Sequence, residues 1–261
     1  MNLVYIHKDI GEPRAEQIAA AVECAQLHSP STPVVVLTNP VSAAGEAYEK
    51  IFDFQQAHGT GRAYNLACIL RWLYLYDYMR ANDLSEIFQG DNDVLVFHDL
   101  EQDLDWFRQF DYPISTDPAN GSTSAHVTHV KLQVLESFVS FLKQRNGVES
   151  GDMNVWRHFR KQLPHLACGE TNQIRDGAIY SHGMHSPAFW SGLFEVNPLL
   201  PTQPLPTLLM TWHEGHPYLR VKDTGQLIRA KTLHCCGGAK TDMRRYVEMS
   251  KASLVKDIPW M

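Results

Sequence analysis

"SEIFQGDNDVLVFHDL", residues 85–100, governs how the whole chain is read. Ile87 and Phe88 are apolar, as are Val94 to Phe97. Between these runs stand two carboxylates one residue apart, Asp91 and Asp93, with Asn92 between them. The first run reads as a strand that ends at Gly90. Burying a charge beside such a strand is costly unless the charge is paired or bound to a metal. Hard divalent cations such as magnesium and manganese take oxygen ligands, commonly one or two carboxylates, and fill other positions with phosphate oxygens. The blander use of Asp91 or Asn92 is to cap a turn or the next helix, as Asx residues often do.

Working outward, strand-like and helix-like runs alternate. "NLVYI" (2–6) and "PVVVLT" (33–38) read as strands, the second apolar throughout as inside a parallel sheet. Between them "RAEQIAAAVECAQL" places Ile18, Val22 and Ala25 at helical spacing. This is a βαβ start. Leu66, Ile69, Leu70 and Leu73 mark a helix from Arg62 to Met79, and Leu135, Phe138, Val139 and Leu142 mark another. "DYPIST" (111–116) reads as a further strand, and "YLRVKDTGQLIRA" (218–230) as a hairpin around a Thr-Gly turn. "FEVNPLLPTQPLPTLL" holds four prolines and reads as a long loop or arm, centred on 197–206. The class expected is α/β with a mixed, mostly parallel sheet flanked by helices. In such sheets ligands sit at the carboxyl ends of the strands, which is where Asp91 and Asp93 fall.

The totals bound the function. A chain of 261 residues with 44% hydrophobic content is read as a single domain, 1–261. A net charge of −6 argues against nucleic acid as partner. No apolar run reaches the roughly 18 to 20 residues that span a bilayer. The start "MNLVYIHKDI" reads as a first strand and not a secretory signal. Five cysteines without framework spacing fit free thiols in a reducing compartment, hence a cytoplasmic chain.

A third ligand for a cation held by Asp91 and Asp93 is offered by "LHCCGGAK" (233–240), which contains His-x-x-Gly-x-x-Lys as His234, Gly237 and Lys240. Imidazole can ligate manganese, glycines let backbone N–H groups approach a phosphate, and lysine adds a point charge. The plainer reading is a Gly-Gly turn beside a buried histidine. The late Asp-x-Asp after a strand, combined with the distal HxxGxxK, resembles the GT-A glycosyltransferases, most closely the retaining glycogenin and bacterial galactosyltransferase type. The resemblance implies a Rossmann-like GT-A fold, with 1–100 as a nucleotide-binding half and 101–261 carrying the acceptor-binding half and the C-terminal motif. It implies that Asp91, Asp93 and His234 hold Mn2+ (or Mg2+), and that Gly237 and Lys240 touch the diphosphate of a UDP-sugar. The family usually continues with Pro-Trp after the lysine; here Thr241 and Asp242 follow.

By the same resemblance, His7, Lys8 and Asp9, just past the first strand, and Asn39, just past the second, are expected near the nucleotide. Arg71, on the helix before the Asp-x-Asp strand, is expected near the nucleotide or sugar. The alternative for Arg71 is a surface arginine beside Asp77 or Glu86. Asp152, in "ESGDMNVW", is expected to meet sugar hydroxyls or the acceptor, or to serve as the general base of an inverting reaction; it would equally make a good N-cap. Asp117 and Asn120 in "STDPANGS" are further sugar-facing candidates, as is "YSHGMHSPAFW" with Trp190. His182, His185, His213 and His216 form two HxxH pairs, which lack the HExxH spacing of zinc helices.

The expected activity is thus metal-dependent hexosyl transfer (EC 2.4 type) from a nucleotide sugar to a glycan, protein or small-molecule hydroxyl, with retention. Two alternatives stand beside it. One is a haloacid-dehalogenase-like phosphatase, which would want Thr or Val where Leu95 stands. The other is an inactive domain that only binds a sugar nucleotide.

Overall fold

The structure is a computed structural model that describes residues 1–8, 15–54, 61–116, 123–145, 148–149, 151–180, 193–197, 207–256 and 258–259. The first half runs β1 (Leu3–His7), α1 (Ala15–His28), β2 (Val34–Thr38), α2 (Ala43–Ile51), α3 (Arg62–Ala81), β3 (Glu86–Gly90) and β4 (Val94–Val96). Then come β5 (Val127–Lys131), α4 (Leu132–Gln144), α5 (Asp152–Gln162) and β6 (Ala178–Ile179). The chain ends with β7 (Met210–His213), β8 (His216–Arg220), β9 (Leu227–Ala230), β10 (Thr232–His234) and α6 (Met243–Ser253). No helix among the described residues is long and apolar enough to cross a membrane.

These elements form two compact units interleaved along the chain. The first comprises Met1–Pro13, Val35–Gly90 and Leu104–Glu170. Its sheet has the order β2-β1-β3-β5. β1 and β3 run parallel, with Leu3 opposite Phe88 and Tyr5 opposite Gly90. β3 and β5 run antiparallel, from Glu86 opposite Lys131 to Gly90 opposite Val127. This register needs a glycine where the strand ends, because a Cβ on Gly90 would lie 2.7 Å from the Tyr5 ring. β2 lies at the sheet's edge and is half-buried, not enclosed as its run of apolar residues suggested. The unit's core is aromatic. Trp156 stacks on Phe138 at 4.2 Å and meets Trp72 edge-on at 4.9 Å, which ties α3, α4 and α5 together. The helical positions read from the sequence, Leu66, Ile69, Leu70, Leu73, Leu135, Phe138, Val139 and Leu142, are all buried there.

"DYPIST" departs from its expectation. Only Ser115–Thr116 is strand, paired with Thr123–Ser124. The reason is local. Pro113 has no N–H to give a ladder, and the N–H groups of Asp111, Tyr112 and Ile114 go to the carbonyls of Ala167 and Gly169.

The second unit comprises Arg14–Val34, Asp91–Asp103 and Thr171–Met261. Its sheet has the order β6-β9-β8-β7, in which β8 and β9 are the expected hairpin. A separate two-stranded ribbon joins β4 to β10 antiparallel, with Thr232 opposite Val96 and His234 opposite Val94. Val94, Leu95 and Val96 are fully buried, which three consecutive apolar residues require. α1 packs on this ribbon, and the Cys24 thiol donates to the Val96 carbonyl at 3.1 Å. Of the proline-rich arm, residues 198–206 lie outside the described residues.

Where α1 ends, His28 is locked between β8 and α6. The Ser250 hydroxyl donates to the Gly215 carbonyl at 2.6 Å, so it must accept from His28 Nε2, 2.7 Å away. Burial, then the nearby His216, lowers the His28 pKa from 6.5 to about 4. Burial moves His216 and His129 in the same direction. A folded-state pKa below the unfolded value means that folding favours the neutral ring. That stability is complete above pH 6.5 and is lost as pH falls towards 4. Thermal unfolding followed from pH 7.5 to 4 should therefore show a falling midpoint, with His28→Gln flattening part of the fall. Parallel curves for the two proteins would contradict this.

Candidate functional site

The site is built on the β4–β10 ribbon. Asp91 follows β3 directly in the chain, and its carbonyl accepts from the Val94 N–H at 3.0 Å, closing a tight turn. The turn delivers Asp93 to the head of β4. The ladder then continues one step past β10, since the Cys235 N–H donates to the Asp93 carbonyl at 2.7 Å. This register sets the distal motif against the acid pair. His234 Nε2 lies 3.3 Å from Asp93 Oδ1. Lys240 Nζ lies 3.0 Å from Asp93 Oδ2. An Asp91 carboxylate oxygen and a His234 ring nitrogen lie within 4.8 Å of each other.

Lys240 reaches Asp93 through a short 3-10 segment, Gly237–Asp242. Gly237 opens it with φ +58°, a left-handed conformation that costs other residues a clash at Cβ. Burial alone would raise the Asp93 carboxyl. His234, then Lys240, outweigh it and hold the group well below the usual carboxylate range. Asp93 thus has the His234 imidazole on one oxygen and the Lys240 ammonium on the other. His234 in turn has a carboxylate of Asp91 on one hand and of Asp93 on the other within reach, and carboxylate oxygens with an imidazole are donors that suit Mn2+ or Mg2+.

The nucleotide, sugar and acceptor candidates that fall among the described residues belong to the first unit. Arg71 donates to Asp152 in an ion pair whose side chains are 14% and 11% exposed. The Arg71 guanidinium also lies 5.0 Å from the Trp72 ring centroid. Both simpler readings of these residues give way. Gly151, not Asp152, is the N-cap of α5; its φ is +144°, and a Cβ on it would lie 2.7 Å from Asn65 Oδ1. Asp77 instead accepts from Ser42, and Glu86 pairs with Arg108 and His129. His7 ends β1, and its carbonyl accepts from the Asn39 N–H at 2.7 Å. Asn39 adopts φ +44° just past β2. Lys8 Nζ sits 5.7 Å from the Tyr74 ring centroid. Asp9, Asp117, Asn120, His182, His185 and Trp190 lie outside the described residues. His213 and His216 face each other across the β7–β8 pair, and neither joins a possible metal group among the described residues.

One charged cluster has no signature in the sequence. Asp103 accepts from Lys231 and from the Tyr180 hydroxyl, with His98 Nε2 at 3.2 Å. Lys231 immediately precedes β10, and its carbonyl accepts from the Phe97 N–H just past β4. The cluster therefore anchors the far end of the ribbon that carries Asp93 and His234. Residues 103, 180 and 231 are too far apart in the chain for any spacing rule to join them.

No family model and no curated protein matches this sequence. The fold does match solved structures. Against the galactosyltransferase LgtC, in complex with donor and acceptor sugar analogs, the TM-score is 0.52 at 14% identity, covering 97% of this chain and 96% of that one. Against mouse xyloside xylosyltransferase 1 in its apo form it is 0.50 at 10% identity, covering 71% and 88%. Against a glycosyltransferase involved in glycosylation of the major capsid of PBCV-1 it is 0.50 at 10% identity, covering 95% and 98%. The chain thus has the GT-A fold, α/β with a mixed, mostly parallel central sheet flanked by helices.

The Arg71–Asp152 pair yields a stability test. Removing one partner strands a buried charge, so Asp152→Ala should cost about 3 kcal/mol in urea unfolding. Arg71→Met combined with Asp152→Leu should cost clearly less than the two single changes added together. Additive losses would show that the pair is not coupled.

Proposed function

We propose that this GT-A chain is a metal-dependent glycosyltransferase that moves a hexosyl group from a UDP-sugar to an acceptor hydroxyl, with retention at the anomeric carbon. The observation that carries this reading is the meeting of two motifs about 140 residues apart: Asp93 lies against His234 on one oxygen and Lys240 on the other. In this reading Asp91, Asp93 and His234 hold Mn2+ or Mg2+, which when bound neutralises charge on the departing diphosphate. Lys240 adds a positive charge for the same group, and Gly237 lets the backbone come close to it.

His7, Lys8, Asn39 and Arg71 are assigned to the nucleotide and sugar. Asp152, with Asp117, is assigned to sugar or acceptor hydroxyls. Arg71 would keep the Asp152 carboxylate oriented for that task. Residues 1–100 serve as the nucleotide half and 101–261 as the acceptor half, and the acceptor is a glycan, a protein or a small molecule. Five free thiols suit a cytoplasmic setting. The GT-A fold favours sugar transfer over the haloacid-dehalogenase alternative.

Calorimetric titration of UDP tests the reading. With Mn2+ present, wild type should bind UDP with micromolar Kd. Chelator, or the Asp93→Ala change, should weaken binding by at least about a hundredfold, because the diphosphate loses its cation. UDP binding that ignores both, or no binding in any condition, would overturn the assignment.

A further inference from the structure

Both oxygens of Asp93 are engaged before any ligand arrives, Oδ1 by His234 and Oδ2 by Lys240. The two engagements differ in kind. His234 is fixed in β10 and is 8% exposed. Its place beside Asp93 follows from the strand register, so it moves little. Lys240 lies in the Gly237–Asp242 segment past the strand, at the end of a flexible four-carbon stem. Its side chain is 22% exposed, so it can leave Asp93 without unfolding anything.

A divalent cation on Asp93 and an ammonium 3.0 Å from the same carboxylate are like charges at close range in a largely desolvated place. They cannot share Asp93 without strong repulsion. A diphosphate relieves the conflict, because it gives the ammonium a second anion within reach.

We infer that Lys240 is an exchangeable counter-ion: it bridges Asp93 in the unloaded protein and transfers to the diphosphate on loading, so that metal and nucleotide bind as a coupled pair. The inference rests on the reading under Proposed function and adds a sequence of events to it. Cation alone must displace Lys240 from Asp93 without compensation. Cation with nucleotide need not, since the nucleotide draws Lys240 away. Linkage makes the effect reciprocal, and the factor by which UDP tightens the cation equals the factor by which the cation tightens UDP. Asp93 thereby avoids standing as an uncompensated buried anion when the site is unloaded.

The test is Mn2+ binding read from the electron paramagnetic resonance of free Mn2+, with and without UDP, corrected for Mn2+ held by free UDP. In wild type, UDP should tighten Mn2+ at least tenfold. In Lys240→Met, Mn2+ alone should bind about fivefold tighter than in wild type, the worth of one ion pair removed as competitor. UDP's enhancement should shrink accordingly. Lys240→Gln should behave as Lys240→Met does, while Lys240→Arg, which keeps the cation, should show no tightening of Mn2+ alone. If Mn2+ alone binds either neutral variant no tighter than wild type, while wild type binds both ligands, the exchange is wrong and the assignment of the site survives. If wild type binds neither UDP nor Mn2+, both fall together.

Discussion

A carboxylate taken out of water needs charged or hydrogen-bonding partners, and among the described residues Asp93 finds His234 and Lys240 in a segment about 140 residues further along the chain. The pairing depends on one antiparallel register. With His234 opposite Val94, the ladder carries on to the Asp93 carbonyl, and the next turn returns Lys240 to the same side chain. A slip of one residue would turn His234 to the other face of the ribbon and leave Asp93 without its fixed partner. Features at a distance support this register. The buried Val94–Val96 segment is packed by α1, and the Asp103–Lys231 cluster ties down the ribbon's other end.

The same register explains why the motifs carry more meaning together than apart. An Asp-x-Asp alone is more often a turn, and a Gly-Gly beside a histidine more often a loop. Where the fold lays one against the other, Asp93 lies 3.3 Å from His234 and 3.0 Å from Lys240, an arrangement that a turn by itself does not require. The likeness to solved glycosyltransferases, at 10–14% identity, concerns the path of the backbone. The chemistry has to be argued from the side chains, and in the second unit it converges on Asp93.

Much of the fold was legible in the sequence wherever periodicity governs. β1, α1, α3, α4 and the β8–β9 hairpin follow from apolar spacing and turn residues; in α3 and α4 the positions the spacing selects are buried, whereas in α1 Ile18 and Val22 are half-buried and the enclosed face is Ala20, Ala21, Cys24 and Ala25. What periodicity cannot encode is pairing between distant residues. Asp152 looked like a helix cap because Asp before a helix usually is one; its carboxylate instead meets Arg71, 81 residues earlier. Pro113 broke a strand that composition favoured, since the backbone donors around it bond to Ala167 and Gly169. Asp91, Asp93 and His234 could be proposed as a set because each lies in a short motif whose chemistry is distinctive. That Asp93 is shared between His234 and Lys240 was not readable, because it depends on a register between strands that no local pattern specifies.

The most direct test of the central claim is turnover. The protein is incubated with Mn2+ and a panel of UDP-sugars, and UDP is separated from its sugars by chromatography. UDP should accumulate from at least one donor, chelator should stop it, and Asp91→Asn and Asp93→Asn should be inactive while still folded. Release of phosphate from an aryl phosphate, with no UDP formed from any donor, would contradict it.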